Sequence, residues 1–358
     1  MKRSLRRFLR RRGATDTEID NAAQGHYLAL LTLDREITPG ERRYTMEQLA
    51  ATAGCDLDVA REVWRAIGFP DLPDDLVAFT DADVAALRAF ADRLRNPWMF
   101  EWTLERALAQ ARVLNAALAR VAEVESDDVA SSFRAARRMG LDDEELAELI
   151  AQRFDFEDLS RLIDHAHRLQ LRATLWRKLA DGDPSLANMV NVAVGFVDLV
   201  GYTALSEELE VEGLFALVER FSAIAHDTVV SAGGRIVKTI GDEVMFITDT
   251  PGTAAAIALA LTEASTGDEM LPQTRAGVAW GAVLSRDGDY FGSVVNLASR
   301  LTEMARPGTV LVSAELAAAL AGDERFSFRR LPGRRIRDIG RVDVYRLQPG
   351  ERAESVTA

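Results

Sequence analysis

The chain has one cysteine in 358 residues, Cys55, so it can form no intrachain disulfide and no cysteine-clustered zinc or iron-sulfur site. That suits a reducing compartment. No window holds the roughly 18 consecutive apolar residues needed to cross a bilayer. The opening MKRSLRRFLRRR starts like a signal peptide, but TDTEIDNAAQGH follows in place of an apolar core. A cytoplasmic protein is the expectation. Positive charge is in deficit, 43 Lys plus Arg against 56 Asp plus Glu, and the net charge of −13 repels nucleic acid and anionic membrane on average. What remains is ordinary for a folded globular protein, 48% hydrophobic and 28% charged, with a length that favours two domains.

From Asp16 to about Ala180 the apolar residues recur at spacings of three and four, glycine and proline are sparse, and no period-2 run appears. The pattern predicts helices over Asp81 to Leu94, Pro97 to Val124, Val129 to Met139 and Glu144 to Phe154. The basic leader reads as a solvated tail, as a first helix of this half, or as a membrane-surface helix with Leu5, Phe8 and Leu9 on one side. Leu159, Leu162, Ala166, Leu169, Ala173, Trp176 and Ala180 form a coiled-coil-like seam on a helix that either connects the halves or lies buried in the first. Turn formers cluster in DGDPSLANM, and from Asn191 onward strands and helices alternate. They run NVAVGFVD, a helix over about Ser206 to Val230, the hairpin GGRIVKTIGDEVMFITD, a helix after Pro251, TRAGVAWG, a helix over about Val294 to Glu303, and TVLVS. The expected division is an all-helical domain over 1–165, a coupling helix and linker over 166–189, an α+β domain over 190–350 and a tail over 351–358.

Three segments carry chemistry. In FVDLVGYTALS an apolar strand delivers Asp198, and Gly201 makes a tight turn into a helix whose first amides can face phosphate oxygens. In VKTIGDEVMF, Gly241 and Asp242 sit at a hairpin turn. If the first strand pairs antiparallel with the second hairpin strand, as in a ferredoxin-like βαββαβ sheet, Asp198 and Asp242 meet. Two carboxylates holding magnesium on a polyphosphate suit phosphoryl or nucleotidyl transfer. In DYFGSVVNLASR, Asn296 and Arg300 are four apart on a helix, placing an amide and a guanidinium on one face. No histidine falls in these segments, so no side-chain general base is nominated.

In combination and in this order, FVDLVGYT, VKTIGDEVMF, RAGVAWG and DYFGSVVNLASR resemble the catalytic domain of class III nucleotidyl cyclases over residues 190 to 347. The resemblance implies a ferredoxin-like α+β fold acting as a head-to-tail homodimer that converts ATP to cyclic AMP and pyrophosphate. It places two divalent ions, Mg2+ or Mn2+, on Asp198, Asp242 and the backbone carbonyl of Leu199. Lys238 and Asp289 would read adenine, Asn296 and Arg300 would orient the ribose and hold the α-phosphate, and Arg275 and Arg337 would reach the terminal phosphates. Arg337 stands where a lysine is common. A guanylate or dual-specificity cyclase, or a catalytically silent nucleotide-binding and dimerisation module, are the alternatives.

Residues 1 to 165 resemble the helical regulatory domain of actinobacterial pH-sensing, autoinhibited adenylate cyclases, best over YTMEQLAATAGCDLDVAREVWRAIGFP. That stretch also has helix-turn-helix character, with Gly54 at the turn, but Glu47, Asp56, Asp58 and Glu62 outnumber Arg61 and Arg65, which disfavours a DNA backbone. His165 and His167 lie on the coupling helix, and imidazole titrates in the physiological range. A proton or a lipid is the candidate signal.

Overall fold

The computed structural model describes residues 1–96, 102–180, 189–268, 270–336 and 340–350. The chain divides into two compact units, Met1–Asp181 and Gly182–Ala358.

The first unit is helical: α1 Arg3–Arg11, α2 Asp16–Gln24, α3 Leu28–Ile37, α4 Met46–Ala53, α5 Leu57–Ala66, α6 Asp81–Arg95, α7 Leu104–Arg138, α8 Asp143–Arg153 and α9 Phe156–Ala180. Its starts are written in the sequence. Thr15, Thr45, Thr80 and Asp142 each close a capping box with the residue three further on. The basic leader is a structural helix. Leu5 and Leu9 are buried with Ile19, Leu28, Leu146 and Ile150, while Arg6 and Arg10 pair with Asp16 and Lys2 with Glu148. Its apolar side is therefore occupied by protein, and the membrane-surface and solvated-tail alternatives fall away.

Two helices expected on either side of residue 125 are one. α7 runs unbroken through Glu125–Ser126–Asp127–Asp128, because nothing there removes an amide or demands a left-handed turn. The stretch from Met46 to Ala66 does form a helix-turn-helix, α4 ending on Gly54 at φ 68° and α5 starting at the Asp56 cap. Helix α9 crosses residue 165 without interruption, and none of its described residues is buried. Leu162, Leu169 and Trp176 of the predicted seam are 63%, 45% and 72% exposed, so α9 is not a core helix.

The second unit begins with β1 Met189–Leu199, followed by α10 Tyr202–Glu208, α11 Val211–Ser231, β2 Arg235–Ile240, β3 Glu243–Thr248, α12 Pro251–Gly267, β4 Thr274–Arg286, β5 Asp289–Phe291 and α13 Ser293–Met304. It closes with β6 Val310–Ser313, α14 Ala314–Ala319, β7 Phe326–Arg330, β8 Arg334–Ile336, β9 Gly340–Val342 and β10 Val344–Pro349. The main sheet has the order β2-β3-β1-β4-β6-β10-β7. Its first four strands are antiparallel throughout, the ferredoxin-like βαββαβ arrangement expected from the sequence. The single helix predicted from Ser206 to Val230 is two, divided at Leu209 and Glu210, both extended.

Each sheet face has its own core. Val197, Val244, Phe246, Ala276 and Val278 meet α11 and α12 on one side. Val192, Val194, Phe196, Met245 and Ala279 meet α13 on the other. Among the described residues, no helix is long and apolar enough to cross a membrane.

Candidate active site

The antiparallel register decides where the carboxylates go. Asp198 lies opposite Glu243 on β3 and opposite Arg275 on β4, so three charged residues form a row across the end of the sheet. Asp242 occupies the turn just before β3, reached through Gly241 at φ 62°, a left-handed conformation that glycine adopts without strain. The Leu199 amide donates to the Asp242 carbonyl at 3.3 Å, locking the end of β1 to that turn. Asp198 and Asp242 are thereby neighbours.

Their electrostatics are unfavourable in isolation. Burial pushes the Asp242 carboxyl up to about 6, and the adjacent Asp198 charge adds to this while its own backbone amide and Arg275 oppose it. Glu243 is pushed up to about 7, first by burial, then by Asp198, Asp242 and Glu303. Arg275 supplies the local compensation. Its Nε donates to Asp198 Oδ2 at 2.7 Å, its Nη2 lies 2.5 Å from the same oxygen, and its Nη1 donates to the Glu303 carbonyl at 3.2 Å. Crowded hard-oxygen donors of this kind fit a divalent cation. Among the described residues no group of three or more His, Cys, Asp or Glu side chains could hold a metal by itself. A magnesium-type ion here would complete its shell with backbone carbonyl, water and phosphate oxygens, which matches that ion's preference for few protein ligands.

A second cluster joins distant segments. Lys238 Nζ donates to Asp289 Oδ2 at 2.6 Å, linking edge strand β2 to β5, with both side chains about one-third exposed. Asp289 Oδ1 also accepts the Tyr290 amide at 2.8 Å, which orients the carboxylate.

A third cluster lies on α13, which begins after Gly292 at φ 132°. Ala298, Leu301 and Thr302 are buried against the sheet, whereas Asn296 is exposed and Arg300 is half-exposed. Arg300 Nη1 donates to both carboxylate oxygens of Glu303, at 2.7 and 2.8 Å. Helix and sheet meet backbone to backbone at Gly277, where a Cβ would lie 2.3 Å from the Thr302 nitrogen and 2.4 Å from the Ala298 oxygen.

Of the residues singled out from sequence, Asp198, Leu199, Asp242 and Arg275 come together, as do Lys238 with Asp289 and Asn296 with Arg300. Arg337 lies outside the described residues. His165 and His167 are exposed on α9. Glu243 and Glu303 carried no signal beyond standing one residue after Asp242 and three after Arg300.

A family model for the adenylate and guanylate cyclase catalytic domain matches residues 186–348. An adenylate cyclase of Glutamicibacter nicotianae is 37% identical over 333 residues, covering 90% of this chain and 83% of that one. The chain belongs to the adenylate and guanylate cyclase family. The likeness is not confined to the catalytic half of this cyclase. A pH-sensitive adenylate cyclase of Mycobacterium tuberculosis is 32% identical over 340 residues, covering 90% of this chain and 82% of its own. The solved adenylyl cyclase CyaB of P. aeruginosa is 26% identical with a TM-score of 0.40, covering 46% of this chain and 97% of that one.

Proposed function

We propose that this cyclase is an adenylate cyclase, converting ATP to 3′,5′-cyclic AMP and pyrophosphate under the control of its helical unit. The observation that carries the choice of base is the 2.6 Å Lys238–Asp289 hydrogen bond, which holds a donor and an acceptor side by side. The ammonium suits a ring nitrogen of adenine, the carboxylate its exocyclic amine. In the reaction the ribose 3′-oxygen bonds to the α-phosphorus, the bond to the pyrophosphate oxygen breaks, and the hydroxyl proton leaves to a phosphate oxygen or water. Asp198 and Asp242, with the Leu199 carbonyl, would hold two Mg2+ or Mn2+ ions, which when bound lower the proton affinity of the hydroxyl and neutralise phosphate charge. Arg275 and Arg337 would take the terminal phosphates, so Arg275 must exchange its Asp198 partner for substrate. Asn296 would orient the ribose, and Arg300 would meet the charge that grows at the α-phosphate.

The reaction is assigned to a homodimer with two equivalent composite sites, the metal carboxylates coming from one protomer and the base-reading and α13 residues from the other. Support comes from family membership and from apolar surface beside the site: Ile240 and Phe291, near Asp242 and Asp289, are 53% and 48% exposed. Parallel assays with ATP and GTP test the substrate. ATP should be the preferred substrate, and Lys238→Ala or Asp289→Ala should lower kcat/KM for ATP by about 10- to 100-fold, the cost of one charged hydrogen bond. Faster turnover of GTP would reassign the protein as a guanylate cyclase.

For regulation, α9 is the coupling element and a proton or a lipid its signal. His165 and His167 are solvent-exposed there, where protonation adds charge to a helix that no core restrains. Higher activity in mild acid is expected of the full chain. An unchanged activity–pH profile after replacing both histidines by alanine would remove them from this role.

A further inference from the structure

The last turn of α13 ties two clusters of one chain together through one residue. Thr302 is buried, and its hydroxyl donates to the Phe196 carbonyl at 3.3 Å and the Ala298 carbonyl at 3.0 Å; Leu301 beside it is fully buried. The backbone entering Glu303 is therefore pinned to β1. From that fixed point the Glu303 carbonyl accepts from Arg275, and its carboxylate accepts from Arg300. An exposed pair three apart on a helix is commonly of little consequence, and with side chains 40% and 55% exposed this one contributes little to stability. Its value lies in geometry. A long arginine side chain loses rotamer freedom whenever it must meet one atom, and a partner that already restricts it reduces that loss during turnover.

We propose that Glu303 is a positioning residue, holding the Arg300 guanidinium of its own chain ready for the α-phosphate in the site that this chain completes for its partner. The inference rests on the composite-site assignment above. Because Arg300 acts on charge that develops in the transition state, loss of its guide lowers kcat and leaves KM unchanged. In the homodimer, Glu303→Ala should reduce kcat about two- to fivefold, with Glu303→Gln in between and the melting temperature unaltered. Both variants keep the backbone carbonyl, and with it the hold on Arg275.

A mixed dimer supplies the readout that a merely structural role would not give. When an Asp198→Ala chain pairs with a Lys238→Ala chain, only one composite site keeps both halves intact, and its Arg300 comes from the Asp198→Ala chain. Glu303→Ala placed on that chain should lower activity two- to fivefold, whereas the same change on the Lys238→Ala chain should have no effect. Equal losses on both chains, a loss only on the Lys238→Ala chain, or no loss on either would overturn the proposal. If the mixture is inactive with Glu303 intact, the composite-site assignment fails instead. The homodimer then decides for Glu303: an unchanged kcat, or a fall matched by a lower melting temperature, rejects it.

Discussion

Mixed in equal amounts, chains carrying Asp198→Ala and chains carrying Lys238→Ala, each strongly impaired alone, are expected to regain roughly a quarter of wild-type cyclic AMP synthesis if the proposed composite sites hold, since random pairing makes half the dimers mixed and each then has one complete site. The two residues fall in different clusters of the sheet. Asp198 is bound into the row with Glu243 and Arg275, and Lys238 is held by Asp289 on the β5 strand. On the proposed assignment, removing Asp198 would withdraw a carboxylate from the cation site and release Arg275, and removing Lys238 would unpair Asp289 and weaken base recognition. If each chain served its own nucleotide, no mixture could repair either defect. The measurement is cyclic AMP release against mixing ratio, with dimer formation followed by light scattering. Heterodimers that form and stay silent would show that both halves of a site come from one chain.

Gly277→Ala should impair both the stability and the turnover of the catalytic unit. The added Cβ would sit 2.3 Å from the Thr302 nitrogen, 2.4 Å from the Ala298 oxygen and 2.7 Å from the Thr302 hydroxyl, and the first two are backbone atoms with no rotamer of escape. Helix α13 must lift from the sheet. Overpacking of this kind costs about 1 to 3 kcal/mol or more of stability. The functional cost is larger, because α13 carries Asn296 and Arg300, and a displacement of about 1 Å at a positioned group can remove about 10²-fold in rate. Thermal unfolding and kcat on the same preparation test both. Gly267→Ala is the control: it ends helix α12, a Cβ there meets nothing within 4 Å, and its activity and stability should be preserved. Wild-type turnover by the Gly277 variant would mean that the seating of α13 does not set the geometry of Arg300.

Much of the catalytic half was legible in the sequence because its elements are marked by strong local signals. NVAVGFVD is a nearly unbroken apolar run, and such a run predicts a strand covered on both faces, as β1 is. The meeting of Asp198 and Asp242 followed from pairing that strand with the second arm of the hairpin. Other features had no local signal. The break between α10 and α11 falls at Leu209–Glu210, where neither residue excludes a helix, so tertiary packing places it. The fusion of two expected helices into α7 is the converse case, since the acidic run at 125–128 only resembles a boundary. Strands β7 to β10 carry little local signal because they are short and rich in arginine. Gly277, Glu243 and Glu303 matter through neighbours distant in sequence, which spacing alone cannot reveal.

Helix α9, 25 residues with none of its described side chains in a core, has a further consequence. Most helical stability in proteins comes from packing of an apolar face rather than from the helix alone. Fraying its last turns would therefore disrupt no buried core. On the regulation proposed above, a signal received by the helical unit would not have to deform the catalytic sheet at all. It would have only to change how many turns of this rod are wound.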